Sequence, residues 1–300
     1  MYNKNTNEIN NYDINKNIYS NPIEILEDKL IFNDFFNEPL YPFIKILILK
    51  DIIVFGSEFN QNLSMLPSNV SKIYLGRNFQ KSIIDIPSSV KSIIFANDNL
   101  FIGSLDYLHN DLEELVIGDH YNIPINKLPY NLKTLVLGRN FDTKIYCFNQ
   151  NLKYLDIGKS YTHSLNNLPD NIETLIIGGK YNAQILYPSN LKHFIISEDS
   201  EFMLELKDFP NSLVYLSIQN NYTQQILNLP ESLLCLVLGD YYNGNITRFP
   251  NNLKKIKLTV NFNYDFTYLP DSLEIIELYS QYKYIDFLIY KFPNIKLIVC

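Results

Sequence analysis

An aromatic residue returns about every 20 positions through most of this chain. The row runs Phe59, Phe79, Phe101, Tyr121, Phe141, Tyr161, Tyr181, Phe202, Tyr222, Tyr242, Phe262 and Tyr282, in steps of 20 or 21 with one of 22. Four residues after most of them stands an aliphatic, such as Leu63, Ile83, Ile125, Ile145, Leu165 or Ile226. Prolines keep the same beat at 67, 87, 129, 169, 188, 210, 230, 250, 270 and 293. The two interruptions, Leu108-His109 and Phe148-Asn149, fall where the period expects a proline. A register held over so many copies predicts one elongated stack of small units, not two globular domains in 300 residues.

Within a unit, Leu128-Pro129-Tyr130-Asn131-Leu132-Lys133-Thr134-Leu135-Val136-Leu137-Gly138-Arg139-Asn140-Phe141 repeats the residue types of Leu66 to Phe79 almost position for position. Its core, Leu-x-x-Leu-x-Leu-x-x-Asn, is the leucine-rich-repeat signature. Alternation at Leu135 and Leu137 puts apolar side chains on one face of a short strand, and strands of successive turns then pair in parallel. The return arm ends in Leu-Pro, and proline fixes φ while pushing its predecessor toward extended backbone. A unit of this length has little room for a helix. The expected fold is a repeat solenoid of leucine-rich-repeat type, with a curved parallel β-sheet on the concave side and an extended, irregular convex side. Eleven to thirteen short strands are expected, the first near 73–75 and the last near 276–278, with helix in less than about a tenth of the chain, well under the usual third.

Residues 1–21 hold eight asparagines and no apolar period, which reads as a disordered tail. Residues 22–55 are partly repeat-like and read as an atypical N-terminal cap, and 56–300 as eleven to twelve repeats of 20–22 residues. Two units, Ala96–Phe101 and Ser197–Phe202, carry two extra residues and lack the usual strand-end glycine. They predict a bulged loop or, as the sharper alternative, a bump specific to a partner. The signature asparagines Asn78, Asn140, Asn221 and Asn261 are expected to be buried and bonded to turn backbone, with His120 and Ser160 as substitutes.

The Leu-Pro-x-x-Leu-x-x-Leu-x-Leu-Gly frame, together with Tyr121-Asn122-Ile123-Pro124-Ile125 and the looser Phe59–Leu63 and Tyr242–Ile246, closely resembles the FNIP repeat family of social amoebae and giant amoeba viruses. The resemblance covers roughly residues 30–300 and implies a leucine-rich-repeat-like fold without a common ligand. Some members of that family carry an N-terminal F-box, which would imply substrate recognition for a ubiquitin ligase. Pro22-Ile23-Glu24-Ile25-Leu26 is faintly similar to one, but the repeat pattern resumes by Leu30 and leaves no room for three helices.

A formal net charge of −7 and the lack of any basic cluster argue against nucleic acid as a partner. No apolar run approaches the roughly 20 residues of a membrane span, and no apolar signal segment opens the chain. Three cysteines without short spacing suggest a reducing compartment, so the expected location is cytoplasm, a host's if the chain is viral. Zinc, phosphate-loop and nucleophile-elbow motifs are missing, and His109, His120, His163 and His193 occupy different repeat positions. No enzyme activity, cofactor or metal is expected.

What remains informative is the outward face of the strands. Val116, Val136, Ile176 and Ile195 are expected to form an exposed apolar stripe there, with Arg139, Tyr154, Asp156, Lys159, His193 and Tyr215 as aromatic and charged anchors. Asp156 is one strand from Arg139 and is expected to pair with it in the absence of a ligand. The function read from this is a scaffold binding a protein of unstated identity on the concave sheet. A structural, expanded repeat protein without a dedicated ligand is the alternative. The apolar last segment, Phe292–Cys300, is expected to leave an open edge and to allow a monomer or a weak edge-to-edge dimer.

Overall fold

The computed structural model describes residues 22–239, 248–258, 269–278 and 284–299, with the single positions 242, 244, 246 and 282. The tail at 1–21, Phe262, Asn261 and Cys300 lie outside the described residues. The chain opens with strands β1 (Ile23–Ile25) and β2 (Leu30–Phe32), a 3-10 turn (Tyr41–Phe43) and the four-residue helix α1 (Ile44–Leu47). Then come β3 (Ile52–Val54), β4 (Lys72–Leu75), β5 (Ser92–Phe95), β6 (Glu114–Val116), β7 (Thr134–Val136), β8 (Tyr154–Asp156) and β9 (Thr174–Ile177). They are followed by β10 (His193–Ile196), β11 (Tyr215–Ile218), β12 (Cys235–Leu238), β13 (Lys255–Lys257), β14 (Ile275–Leu278), helix α2 (Ile285–Lys291) and β15 (Lys296–Val299).

All fifteen strands form one sheet in chain order. β1 pairs antiparallel with β2, and each later pair is parallel and in register, as in Leu115–Leu135–Leu155. The sheet is larger than the sequence suggested because 22–55 and the last described residues also contribute strands. Two short helices are present among the described residues. The second occupies a unit in which Tyr282 and Pro293 stand 11 positions apart, against 8 from Tyr161 to Pro169, and the longer arm accommodates two helical turns. Nothing resembling a three-helix F-box is present in residues 22–55, where α1 is four residues long.

Two inward rows of each strand build the core. Leu135 and Leu137 are 0% and 3% exposed, and Phe141 and Ile145 lie in the same buried cluster. Behind the sheet the aromatic row is stacked, with neighbouring ring centroids 6.0 to 6.5 Å apart and planes 2° to 20° apart from Phe36 to Tyr161 and again from Tyr181 to Tyr242. Paired strands stand only about 4.8 Å apart. Turns therefore spread on the aromatic side, and the sheet lies on the inside of the bend.

From Pro67 to Pro270, each frame proline accepts a hydrogen bond from the core residue three positions on, as in Leu132 N–H to Pro129 C=O at 3.2 Å. His109 and Asn149 make the same turn, each accepting at 3.3 Å from Leu112 and Leu152. Proline is thus favoured there by its pre-set φ and is not required.

The expected asparagine ladder is elsewhere. Asn140 is exposed, and Asn78 donates to Glu58 at 3.0 Å on the surface. The residue that follows the aromatic forms the ladder. Asn37 Oδ1 accepts from Asn60 N–H, Asn60 Oδ1 from Gln80 N–H, Asn122 Oδ1 from Asp142 N–H and Asp142 Oδ1 from Thr162 N–H, all at 2.8 to 2.9 Å. An outward-turned backbone N–H is satisfied by the previous turn, which accounts physically for the aromatic-Asn pair. Asn122→Ala is expected to lower stability by about 1 kcal/mol, and amide exchange at Asp142 should quicken while Phe141 remains protected.

Candidate interaction surface

Side chains that alternate with the buried rows face away from the core and line the inside of the bend. Of the expected site, Val116, Val136, Tyr154, His193, Ile195 and Tyr215 occupy this face and are half-buried. Ile176 and Asp156 are only 8% and 6% exposed. The stripe is therefore not an open apolar band, because neighbours on strands about 4.8 Å apart cover much of each side chain. No residue of this face is among the large exposed hydrophobics.

Arg139 and Lys159 are not on this face. Each follows a strand-end glycine, where the chain turns out of the sheet, and each side chain is about half exposed on the ridge of turns. Arg139 pairs with Asp119 in the preceding turn at 3.7 Å, and its backbone N–H donates to the same carboxylate at 2.9 Å. Lys159 pairs with Asp199. The expected Arg139–Asp156 pair does not form. Asp156 instead folds back to accept from Gly158 N–H at 3.1 Å and closes the end of β8. A shallow depression of about 530 Å³ on the ridge is lined by Asn97, Asp98, Asp119, His120, Arg139 and Asn140.

Three aromatic or hydroxyl groups meet at the centre of the face. Thr174 Oγ1 lies 3.2 Å from His193 Nδ1, and the His193 ring stands edge-on to Tyr215 with centroids 6.0 Å apart. Burial raises the hydroxyl pKa of Tyr154, and the charge of Asp156 adds to it. Burial likewise raises that of Tyr215. Both phenols stay neutral donors over the physiological range. At the ends of the face Glu114 holds Lys72 at 3.1 Å and Ser92 at 2.5 Å, and Glu277 holds Lys255 at 2.6 Å.

Two features were not recognised in the sequence. Tyr107, Tyr130 and Tyr146 stand 61% to 66% exposed on the return arms, at frame positions beside the buried aliphatic or proline, where the period demands no apolar residue. The charged row ahead of each strand is broken by Val214 and Leu234, a change visible from the sequence once the row is aligned.

Burial lowers the pKa of His109, whose two ring nitrogens are buried without a hydrogen-bond partner, and of His193. Both histidines therefore take up a proton less readily in the folded chain than in the unfolded one. As pH falls through about 6.5, the unfolded chain takes up protons that the folded one refuses, so stability drops with falling pH. Urea midpoints should decrease between pH 7.5 and 5.5, and His109→Pro, which restores the frame residue, should flatten that slope. A midpoint that rises on acidification contradicts the assignment.

Residues 59–98 match the model of the FNIP repeat. Among solved structures, CroV588 of a giant virus, described as a novel circular LRR protein, is similar with a TM-score of 0.67 and 26% identity over 86% of this chain. The chain spans about half of CroV588, 48% of its length. YopM from Yersinia enterocolitica is similar at 19% identity over 75% of this chain and 64% of its own, with a TM-score of 0.46. A leucine-rich repeat protein from Bacteroides ovatus is similar at 14% identity over 94% and 91% of the two chains, with a TM-score of 0.18. No curated protein sequence matches the chain. No helix among the described residues is long and apolar enough to cross a membrane. The match, the frame and the stacked parallel turns agree: residues 59–98 carry the FNIP repeat, and the chain has the fold of a leucine-rich-repeat solenoid.

Proposed function

We propose that the chain is a non-catalytic scaffold that captures a protein partner in the cytoplasm on the inner face of its parallel sheet. The observation that carries this reading is the row Tyr154, Thr174, His193 and Tyr215. Its side chains lie outside the core on four adjacent strands, yet are half-buried, and His193 touches both Thr174 and Tyr215. Such pre-ordered aromatics lose little freedom on binding, and interface energy concentrates in residues of this kind. Likeness to a circular repeat protein over most of the chain agrees with an arc whose sheet lines the inside.

The test compares the double variant Tyr154→Ala/Tyr215→Ala with Tyr107→Ala/Tyr146→Ala on the return arms, after both are shown to melt cooperatively. Partners cross-linked to the wild-type chain in cytosol should be lost from the first variant, with affinity lowered about tenfold or more, and retained by the second. Retention by the first variant and loss from the second would put the binding surface on the wrong side.

A further inference from the structure

A row of charged residues runs along one border of the inner face, one residue ahead of β5 to β10 and again of β13 and β14. Its members neutralise each other: Glu113 with Lys133 at 2.6 Å, Glu173 with Lys153 and Lys192 at 2.9 and 2.8 Å, and Lys254 with Glu274 at 2.7 Å. Between Lys192 and Lys254 the row is interrupted by Val214 and Leu234. These are consecutive turns, since Leu234 N–H donates to Val214 C=O at 2.9 Å. Leu234 is 42% exposed, on a border otherwise given to ion pairs.

The inner face beside this gap also carries no charge. Outward residues of β9 to β12 are Thr174, Ile176, His193, Ile195, Tyr215, Ser217, Cys235 and Val237, in register across the strands. On the β13 side the window ends abruptly at Lys255 and Lys257, which lie opposite Cys235 and Val237. Lys255 is held by Glu277, whereas Lys257 makes no ion pair among the described residues.

We infer that Val214, Tyr215 and Leu234, with Lys257 one or two strands away, dock an extended protein segment bearing an aliphatic or aromatic side chain and, nearby, a carboxylate. The inference rests on the inner face being the binding surface and specifies which part binds what. Apolar contact with Leu234 and Tyr215 removes the most accessible apolar surface of this border from water. Glu277, opposite Lys257 in register, is taken by Lys255, so a carboxylate over β13 supplies an ion-pair partner that Lys257 does not have among the described residues, and charge complementarity of this kind sets register. Lys257 stands one strand over and three residues on from Leu234, and two strands over and two residues on from Tyr215. Either path is about 11–12 Å, which an extended chain covers in three or four residues. The acidic residue should therefore stand three or four positions from the apolar one.

Short random peptides displayed on phage and selected against the full chain provide the probe, with selected sequences remeasured as synthetic peptides by fluorescence anisotropy. Enrichment of Asp or Glu three or four residues from Leu, Ile, Phe or Tyr is expected. Binding should weaken about tenfold or more in Leu234→Lys and in Lys257→Glu, whose sites lie outside the core, and stay unchanged in Tyr146→Ala. Reversing both charges, Lys257→Glu against a peptide with Lys for Glu, should restore binding. Peptides weakened by Lys72→Glu and not by Leu234→Lys overturn this proposal and leave the inner-face reading standing. Peptides weakened by Tyr146→Ala alone overturn both. No enrichment, or a homodimer abolished by Leu234→Lys, overturns the acidic segment as occupant.

Discussion

Phe141→Ala is expected to cost about 3–5 kcal/mol, as for fully buried aromatics that leave a cavity. The ring is 0% exposed and lies between those of Tyr121 and Tyr161, at 6.3 and 6.2 Å with planes 2° and 10° apart. Removing it therefore takes a stacking partner from two turns as well as leaving a void in one. In a linear array the stability of each unit depends on contacts with its neighbours. The loss should show both as a lower urea midpoint and as a broader transition, because the halves on either side are partly uncoupled. Tyr146→Ala, at an exposed site five residues further, should stay within about 0.5 kcal/mol of wild type. Equal effects at the two positions would mean that the aromatic row is not the spine of the stack.

The second large effect is expected at Gly179. Its φ is +45°, and a Cβ there would meet the carbonyl oxygen of Lys159 in the preceding turn at 1.7 Å. The left-handed conformation costs a side-chain-bearing residue about 1–2 kcal/mol. Relieving the clash requires the backbone to move, which disturbs Lys180 N–H to Lys159 C=O and Glu201 N–H to Gly179 C=O. At about 1 kcal/mol for each bond, Gly179→Ala should lose about 3 kcal/mol or more. Lys180→Ala, at an exposed neighbour, should change little. Thermal unfolding followed by circular dichroism separates the two, and a Gly179→Ala chain as stable as Lys180→Ala would refute the close approach of these turns.

How far the sequence leads depends on what constrains each position. Leu135, Leu137 and Phe141 were legible because a packed core accepts only apolar groups there, and the same demand returns every turn. Outward positions carry no such demand, so Ile176 was taken as exposed although its neighbours cover it. Arg139 was placed on the inner face for its nearness to the strand, although the chain leaves the sheet at Gly138 and strand alternation no longer applies beyond it. The ladder was assigned to Asn78 and Asn140 by analogy with longer leucine-rich repeats. In this shorter turn those positions face water, and the asparagine beside the aromatic sits next to the following turn's N–H. Val214 and Leu234 needed only an alignment of the charged row to be noticed, but that they stand side by side follows from the pairing of β11 with β12.

The two lengthened turns bear on how such an array changes over generations. In each, a small polar residue is tucked inside the lengthened loop: Asn99 Oδ1 accepts from Phe101 N–H at 2.8 Å, and Ser200 Oγ from Phe202 N–H at 3.2 Å. Asn99 also donates to Gly76 C=O of the turn before, at 2.5 Å. The added backbone thus brings its own acceptor, and the aromatic beyond it returns to the common row. Phe101 stacks on Phe79 and Tyr121 as though nothing had been inserted. Lineages of this chain have a seam along which residues can be gained without retuning any neighbouring unit, provided that one of them is an Asn or Ser two places before the aromatic. Foreign loops grafted at 97–98 or 198–199 should obey the same condition.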